Sequence, residues 1–380
     1  MEEIRLVRPE EFSEAIRLAD HVFRKGRRPS VQHSYPHSFS SALSQSYGVF
    51  EDGELVTFMG LVPTTVNVHS ATLSAFKIGQ VCTAEQARGK GFAGQILEKA
   101  LSHANLSNAS LIFVSGDRPL YERAGCYRYG QIAYAELDGQ WAKKRGTAES
   151  RSCTVREMSP YDWLEMHRLS AKRTVSFEYS VWDIANLVEA ASLASTSKRI
   201  HRVLIAEREG KMTGWLVCAV ALSNETKGTS EAIEWSGSAE TVVQLLAEAI
   251  HRYAIDRCVI GVSWFEEELL QELEVPYSVK AAIPGTIHVV DPGRLLNQLR
   301  PYWEREHGPV PSDLHAYYDN ERNVVMKSEG REYRMTGQSF VRLLFSPEQP
   351  ASIDSPIDPG DWMRRCLPVP LPNPNGLGFV

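Results

Sequence analysis

The stretch Arg88-Gly89-Lys90-Gly91-Phe92-Ala93 decides how the rest of the chain is read. It follows a β-rich run from Phe76 to Thr83. After it, Phe92, Ile96, Leu97, Ala100, Leu101 and Ala104 recur at the spacing of one helix face. Glycines between a strand and a helix remove the side chains that would block close approach, and leave main-chain N–H groups converging with the helix N-terminus. Such a turn forms a cradle for a diphosphate, to which Arg88 and Lys90 add charge that phosphate oxygens favour.

The same letters also satisfy Gly89-x-Gly91-x-x-Gly94, the fingerprint of a dinucleotide-binding, doubly wound parallel sheet and hence of an oxidoreductase. In that fold the first glycine follows almost at once on a buried strand, whereas here Ala84-Glu85-Gln86-Ala87-Arg88 intervenes. Upstream, Tyr47-Gly-Val-Phe-Glu-Asp-Gly-Glu-Leu-Val-Thr-Phe reads as a hairpin turning at Asp52-Gly53, which suits a mixed sheet. The dinucleotide site and a purely structural glycine turn remain as alternatives to the cradle.

Working outward, an amphipathic helix from Glu10 to Arg24 opens the chain, strands cover Leu61 to Val68 and Phe76 to Thr83, and a buried strand, Leu111 to Ser115, closes the first unit. The same layout begins again near Val155, with a hairpin at Glu209-Gly210, a helix from Thr241 to Tyr253 and a strand from Cys258 to Trp264. At the place of the cradle this second unit has Ser236-Gly-Ser-Ala-Glu-Thr, which lacks the basic and glycine pattern. From Pro284 the texture changes to a strand (Thr286 to Val290), a helix (Gly293 to Glu306) and a strand pair around Asp319-Asn320. The proline-rich end, Leu367-Pro-Val-Pro-Leu-Pro-Asn-Pro-Asn, has to be extended. The expected fold is therefore α/β, of the α+β kind with mixed sheets, in three parts: 1-150, 151-284 and 285-380.

At 380 residues and a net charge of -6, the chain is long enough for several domains and lacks the uniform basic field of a nucleic-acid binder. No signal-peptide zones open it, and the longest apolar stretch, around Trp215 to Leu222, is too short to span a bilayer; a cytoplasmic protein without nucleic-acid or membrane partners is expected. Cys82, Cys126, Cys153, Cys218, Cys258 and Cys366 are too scattered for a metal site or a disulfide framework.

Arg88-x-x-Gly91-x-Ala93 and the overlapping Gln86-x-x-Gly89-x-Gly91 resemble the acyl-CoA signature of the GNAT acetyltransferases. The order of two GNAT-like units, the second degenerate, before a sterol carrier protein-like domain resembles the enhanced intracellular survival (Eis) enzymes. This resemblance implies that acetyl-CoA is the co-substrate, and that Val81, Cys82 and Thr83 line its pantetheine arm at a splayed strand. It further implies that Arg88, Gly89, Lys90, Gly91, Phe92 and Ala93 hold the diphosphate, with Ser115 also near the cofactor. The stretch Ser115-Gly-Asp-Arg-Pro-Leu-Tyr121-Glu-Arg-Ala-Gly carries the family's Tyr-x-Arg-x-Gly pattern, which makes Tyr121 the general acid for the departing thiolate. A phenol stays protonated at neutral pH, so the role is chemically sound.

By the same resemblance the C-terminal tail threads into the cleft and the carboxylate of Val380 is the general base. It also implies transfer of an acetyl group to an amine, of a small molecule or of a lysine, and a homo-oligomer. A non-catalytic lipid- or peptide-binding protein is the alternative of another class. The sequence departs from the aminoglycoside-modifying relatives at Phe379, where they carry a carboxylate, and in the basic run Arg24-Lys-Gly-Arg-Arg28 near the expected acceptor pocket. Asp20 is left as a candidate amine anchor.

Overall fold

The computed structural model describes residues 2–145, 153–221, 229–277, 279–347 and 361–380. The first of its sheets contains β1 (Glu2–Leu6), β2 (Tyr47–Glu51), β3 (Glu54–Val68), β4 (Ala71–Thr83), β5 (Leu111–Val114), β6 (Cys126–Tyr127), β9 (Val175–Phe177) and β15 (Thr286–Val289). Their order is β1-β2-β3-β4-β5-β15-β6, with β9 on β3. The second contains β7 (Ile132–Leu137), β8 (Thr154–Glu157), β10 (Arg199–Arg208), β11 (Lys211–Ala221), β12 (Ser230–Ser236), β13 (Cys258–Ser263) and β14 (Val279–Ala281), in the order β14-β7-β13-β12-β11-β10-β8. β16 (His315–Tyr318), β17 (Val324–Ser328) and β18 (Arg331–Met335) form a small antiparallel third sheet.

The two hairpins read from sequence are present. Their turns place Asp52 and Gly53 at φ 50° and 88°, and Glu209 and Gly210 at 51° and 70°. Positive φ at both turn residues matches the right-handed twist of the flanking strands. In the first sheet only β4 and β5 run parallel. That arrangement is not a doubly wound parallel sheet, so the dinucleotide-binding alternative is set aside.

Three strands cross the expected boundaries at 150 and 284. β7 follows the first unit in sequence yet lies between β13 and β14 of the second sheet, and β9 of the second segment pairs with β3. Thr286–Val289, expected to open the third part, instead lies between β5 and β6. The four residues of β5 are all buried, so its free edge has to be covered, and the apolar Ile287 and Val289 of β15 do so.

The helix Phe92–Leu106 buries Phe92, Ile96, Leu97, Ala100 and Ala104 against Ile78, Ile112 and Val114. The opening helix covers the residues read for it, as a 3-10 turn over Pro9–Glu11, an α-helix over Phe12–Ala19 and a wider π turn over Asp20–Arg24. The proline-rich tail is packed along its length, with no exposed residue from Cys366 to Val380. Among the described residues no helix is long and apolar enough to cross a membrane.

Candidate active site

The parallel pairing of β4 with β5 runs from Ala75 opposite Leu111 to Ile78 opposite Val114 and stops there. The last rung is closed by Ser115, whose N–H and hydroxyl both donate to the Ile78 carbonyl, at 3.1 and 3.3 Å. Beyond it β4 bulges. The register with β3 slips between Phe58 and Gly60, and Gln80 takes φ 53°. The bulge turns Gly79 to Thr83 away from β5, which is the splay expected beside Val81, Cys82 and Thr83. Cys82 itself points into the core with Phe12, Phe39 and Phe58, and burial pushes its thiol up to about 12. It can contribute main chain here but not a thiolate.

After Thr83 the chain makes one tight turn, Glu85–Ala87, and enters the glycine loop. Gly89 and Gly91 sit at φ 81° and 83°, where side-chain-bearing residues are strained. A β-carbon built on Gly89 would meet nothing within 4 Å, so the loop faces open space. Gly91 caps the helix Phe92–Leu106 without a side-chain acceptor, and the N–H groups of Gly89, Lys90 and Gly91 find no acceptor among the described residues. These donors and the helix dipole fit a diphosphate.

The loop heads a groove of about 900 Å³. Its walls include Ala93, Leu97 and Leu101 of one helix and Leu120 and Arg123 of the next. Arg322, from the turn between β16 and β17, also lines it, a contact between distant segments that no local pattern signals. Arg88 is exposed at the rim, 3.8 Å from Glu85 and with its Nε donating to the Thr83 carbonyl at 3.4 Å, while Lys90 is held more closely by Glu51 at 2.6 Å.

Tyr121 lies in the short helix Pro119–Arg123, with its ring against Gly116, and is 7 % exposed. Burial raises its pKa, with nearby Arg118 opposing weakly, so the phenol remains protonated through the neutral range. Gly116 follows Ser115, and Ser115 is bonded to Ile78, so Tyr121 borders the splay.

The tail reaches the same place from the other side. A β-carbon at Gly79 would collide with the terminal carbonyl carbon and oxygen of Val380, so the last residue lies directly on β4 where the splay begins. Phe379 packs against the core cluster that contains Tyr35, Phe12 and Phe58, with 6.2 Å between the ring centres of Tyr35 and Phe379. The Leu377 N–H donates to Glu234 at 3.2 Å, and Lys77 Nζ donates to the Gly378 carbonyl at 2.9 Å. Lys77 also lies 3.6 Å above the Phe177 ring, a contact worth about 2 kcal/mol when desolvated. Burial lowers its pKa to about 7, against an opposing pull from Glu234.

Beside the tail a cleft of about 640 Å³ is lined by His37, Lys77, Glu178, Tyr179, Asp183 and Val380 among others. His37 meets Asp183 at 3.2 Å. Its pKa is lowered, first by burial and then by Lys77, with Asp183 opposing, so the imidazole is neutral at pH 7. The basic run does not face this cleft as a block: Arg24 is buried and donates to Ser195, 3.0 Å to its hydroxyl. Asp20 has intrachain partners on both oxygens, the Ser30 hydroxyl at 2.6 Å and the Val31 N–H at 2.7 Å. All six cysteines are free and buried.

The site thus joins a mixed sheet whose β4–β5 pairing ends at Ile78 and Val114 to an open glycine loop at a helix N-terminus. Residues 3–130 match the model of the GNAT acetyltransferase domain. Solved structures share the fold over most of the chain. A GCN5-related N-acetyltransferase from Anabaena variabilis superposes with a TM-score of 0.65 at 12% identity, covering 90% of this chain and 89% of that one. A probable N-acyltransferase from Enterococcus faecalis V583 gives 0.62 at 17% identity, covering 88% and 85%. Eis1 from Mycobacterium abscessus gives 0.61 at 11% identity, covering 90% and 88%. At these identities the likeness is one of fold. No curated protein matches the sequence significantly.

Proposed function

We propose that the chain transfers an acetyl group from acetyl-CoA directly to an amine that enters through the cleft beside Val380. What supports this reading is the open glycine loop after β4, the Tyr121 ring against Gly116 one residue after the end of the β4–β5 pairing, and the seat of Val380 on Gly79. Acetyl-CoA supplies the activated acyl group when bound. The N–H groups at Gly89 to Gly91 and the Arg88 guanidinium hold its diphosphate, and the bulged edge of β4 at Val81 to Thr83 faces its pantetheine arm. Tyr121 gives its proton to the departing sulfur, and the Val380 carboxylate takes the proton lost by the amine. The second unit, without a cradle, acts as a wall of the cleft, and the third, sterol carrier protein-like part anchors the tail. A cytoplasmic homo-oligomer remains the expected setting.

Turnover separates this from a binding protein with a vestigial site. With acetyl-CoA and a panel of primary amines, release of free thiol is expected from the wild type. Tyr121→Phe should lower kcat about 100-fold with KM for acetyl-CoA nearly unchanged. Equal kcat in the two proteins removes Tyr121 from the chemistry, and a wild type that turns over no amine favours the binding role.

A further inference from the structure

Lys77 is the buried charge that the chemistry above leaves unused. It stands on β4 two residues before Gly79, so both positions face the same side of the sheet. On that side the tail is gripped at successive points: Gly378 by Lys77 and Val380 by its seat on Gly79. Glu234 of β12 holds the preceding N–H, at Leu377, from the second sheet. Tyr179 Oη lies 3.4 Å from Lys77 Nζ and against Gly378, closing the clamp from a third direction.

A lysine that is 3 % exposed is costly to bury, and a hydrophobic residue of similar length would fill the space over the Phe177 ring equally well. What a hydrophobe cannot do is fix the height of the tail by taking a carbonyl oxygen. We propose that Lys77 is a positioning residue which, through the Gly378 carbonyl, holds the Val380 carboxylate at the splay where the amine proton is lost. The inference rests on the reading of Val380 as proton acceptor. Displacing the carboxylate by about 1 Å is enough to lower the rate about 100-fold.

The test uses Lys77→Met and Lys77→Gln in the full chain and in a chain ending at Leu377. In the full chain, Lys77→Met is expected to lower kcat about 10-fold to 100-fold while KM for acetyl-CoA stays within about twofold. Its tail should become a substrate for carboxypeptidase, whereas the wild-type tail resists. Lys77→Gln, which keeps an N–H donor, should recover part of both properties. In the shortened chain the same substitutions should cost nothing further in kcat. A loss of kcat of equal size with and without the last three residues overturns the proposal, as does a tail equally protected in Lys77→Met and wild type. Should Lys77→Met fail to fold, the Lys77→Gln pair yields the same cycle. Tail protection is read without turnover, so a wild type inactive on every amine would defeat the proposed function and leave the clamp decided separately.

Discussion

Two strand-to-helix junctions, one after β4 and one after β12, have opposite chemistry. In the first unit, β4 leads through a glycine loop into the helix Phe92–Leu106, whose first N–H groups are unclaimed. In the second, β12 passes almost directly into the helix Ala239–Arg252, where the Ser238 hydroxyl accepts from the Thr241 N–H and caps the helix itself. Gly237 is jammed there: a β-carbon would press on the Thr213 carbonyl and Gly214. The grooves differ likewise. That of the first unit, about 900 Å³, carries Arg88, Arg123 and Arg322. That of the second, about 480 Å³, carries Glu266, Glu267 and Glu268, and its one arginine, Arg173, is already ion-paired with Glu234. The two junctions thus differ in the features that favour an anion, unclaimed N–H groups with positive charge around them.

The sharpest way to break this contrast is to substitute each glycine. Gly91→Val forces a β-branched residue to positive φ, at a cost of about 1 to 3 kcal/mol, and narrows the cradle. It should reduce kcat/KM for acetyl-CoA about 100-fold or more. Gly237→Ala should lower the unfolding midpoint by a few degrees and leave the KM for acetyl-CoA where it was. Equal effects on KM from the two substitutions would dissolve the distinction between the loops.

A smaller effect concerns the joint where Lys77 of the first sheet and Glu234 of the second hold the tail between them. The Lys77 pKa falls from 10.5 to about 7 on folding. Between those values the folded state binds fewer protons than the unfolded chain, so stability rises as pH rises. This contribution is complete above 10.5 and lost as pH falls through about 7. Urea unfolding between pH 7 and 9 should therefore show stability climbing in the wild type, with a flatter course in Lys77→Met. A slope unchanged by the substitution would mean that Lys77 is solvated in the folded state.

Local pattern was enough for the glycine loop, the helix after it and both hairpins, because turn chemistry and apolar spacing are short-range properties. Partner choice between strands is not. The sequence of β15 reads as a strand wherever it sits, and only the exposed edge of β5 determines that it joins the first sheet. The role of Lys77 was equally hidden, since its acceptor lies 301 residues away in sequence. The intrachain partners of Asp20 were hidden too, since one of its oxygens accepts from the Val31 N–H eleven residues on. The tail was legible as extended from its prolines, but its seat depends on the missing side chain at Gly79.

Calorimetric titration of the full chain with coenzyme A tests the central contrast most directly. One molecule bound per chain, with binding lost in Gly91→Val and kept in Gly237→Ala, is the predicted result. Two molecules per chain, or undiminished binding by Gly91→Val, would contradict it.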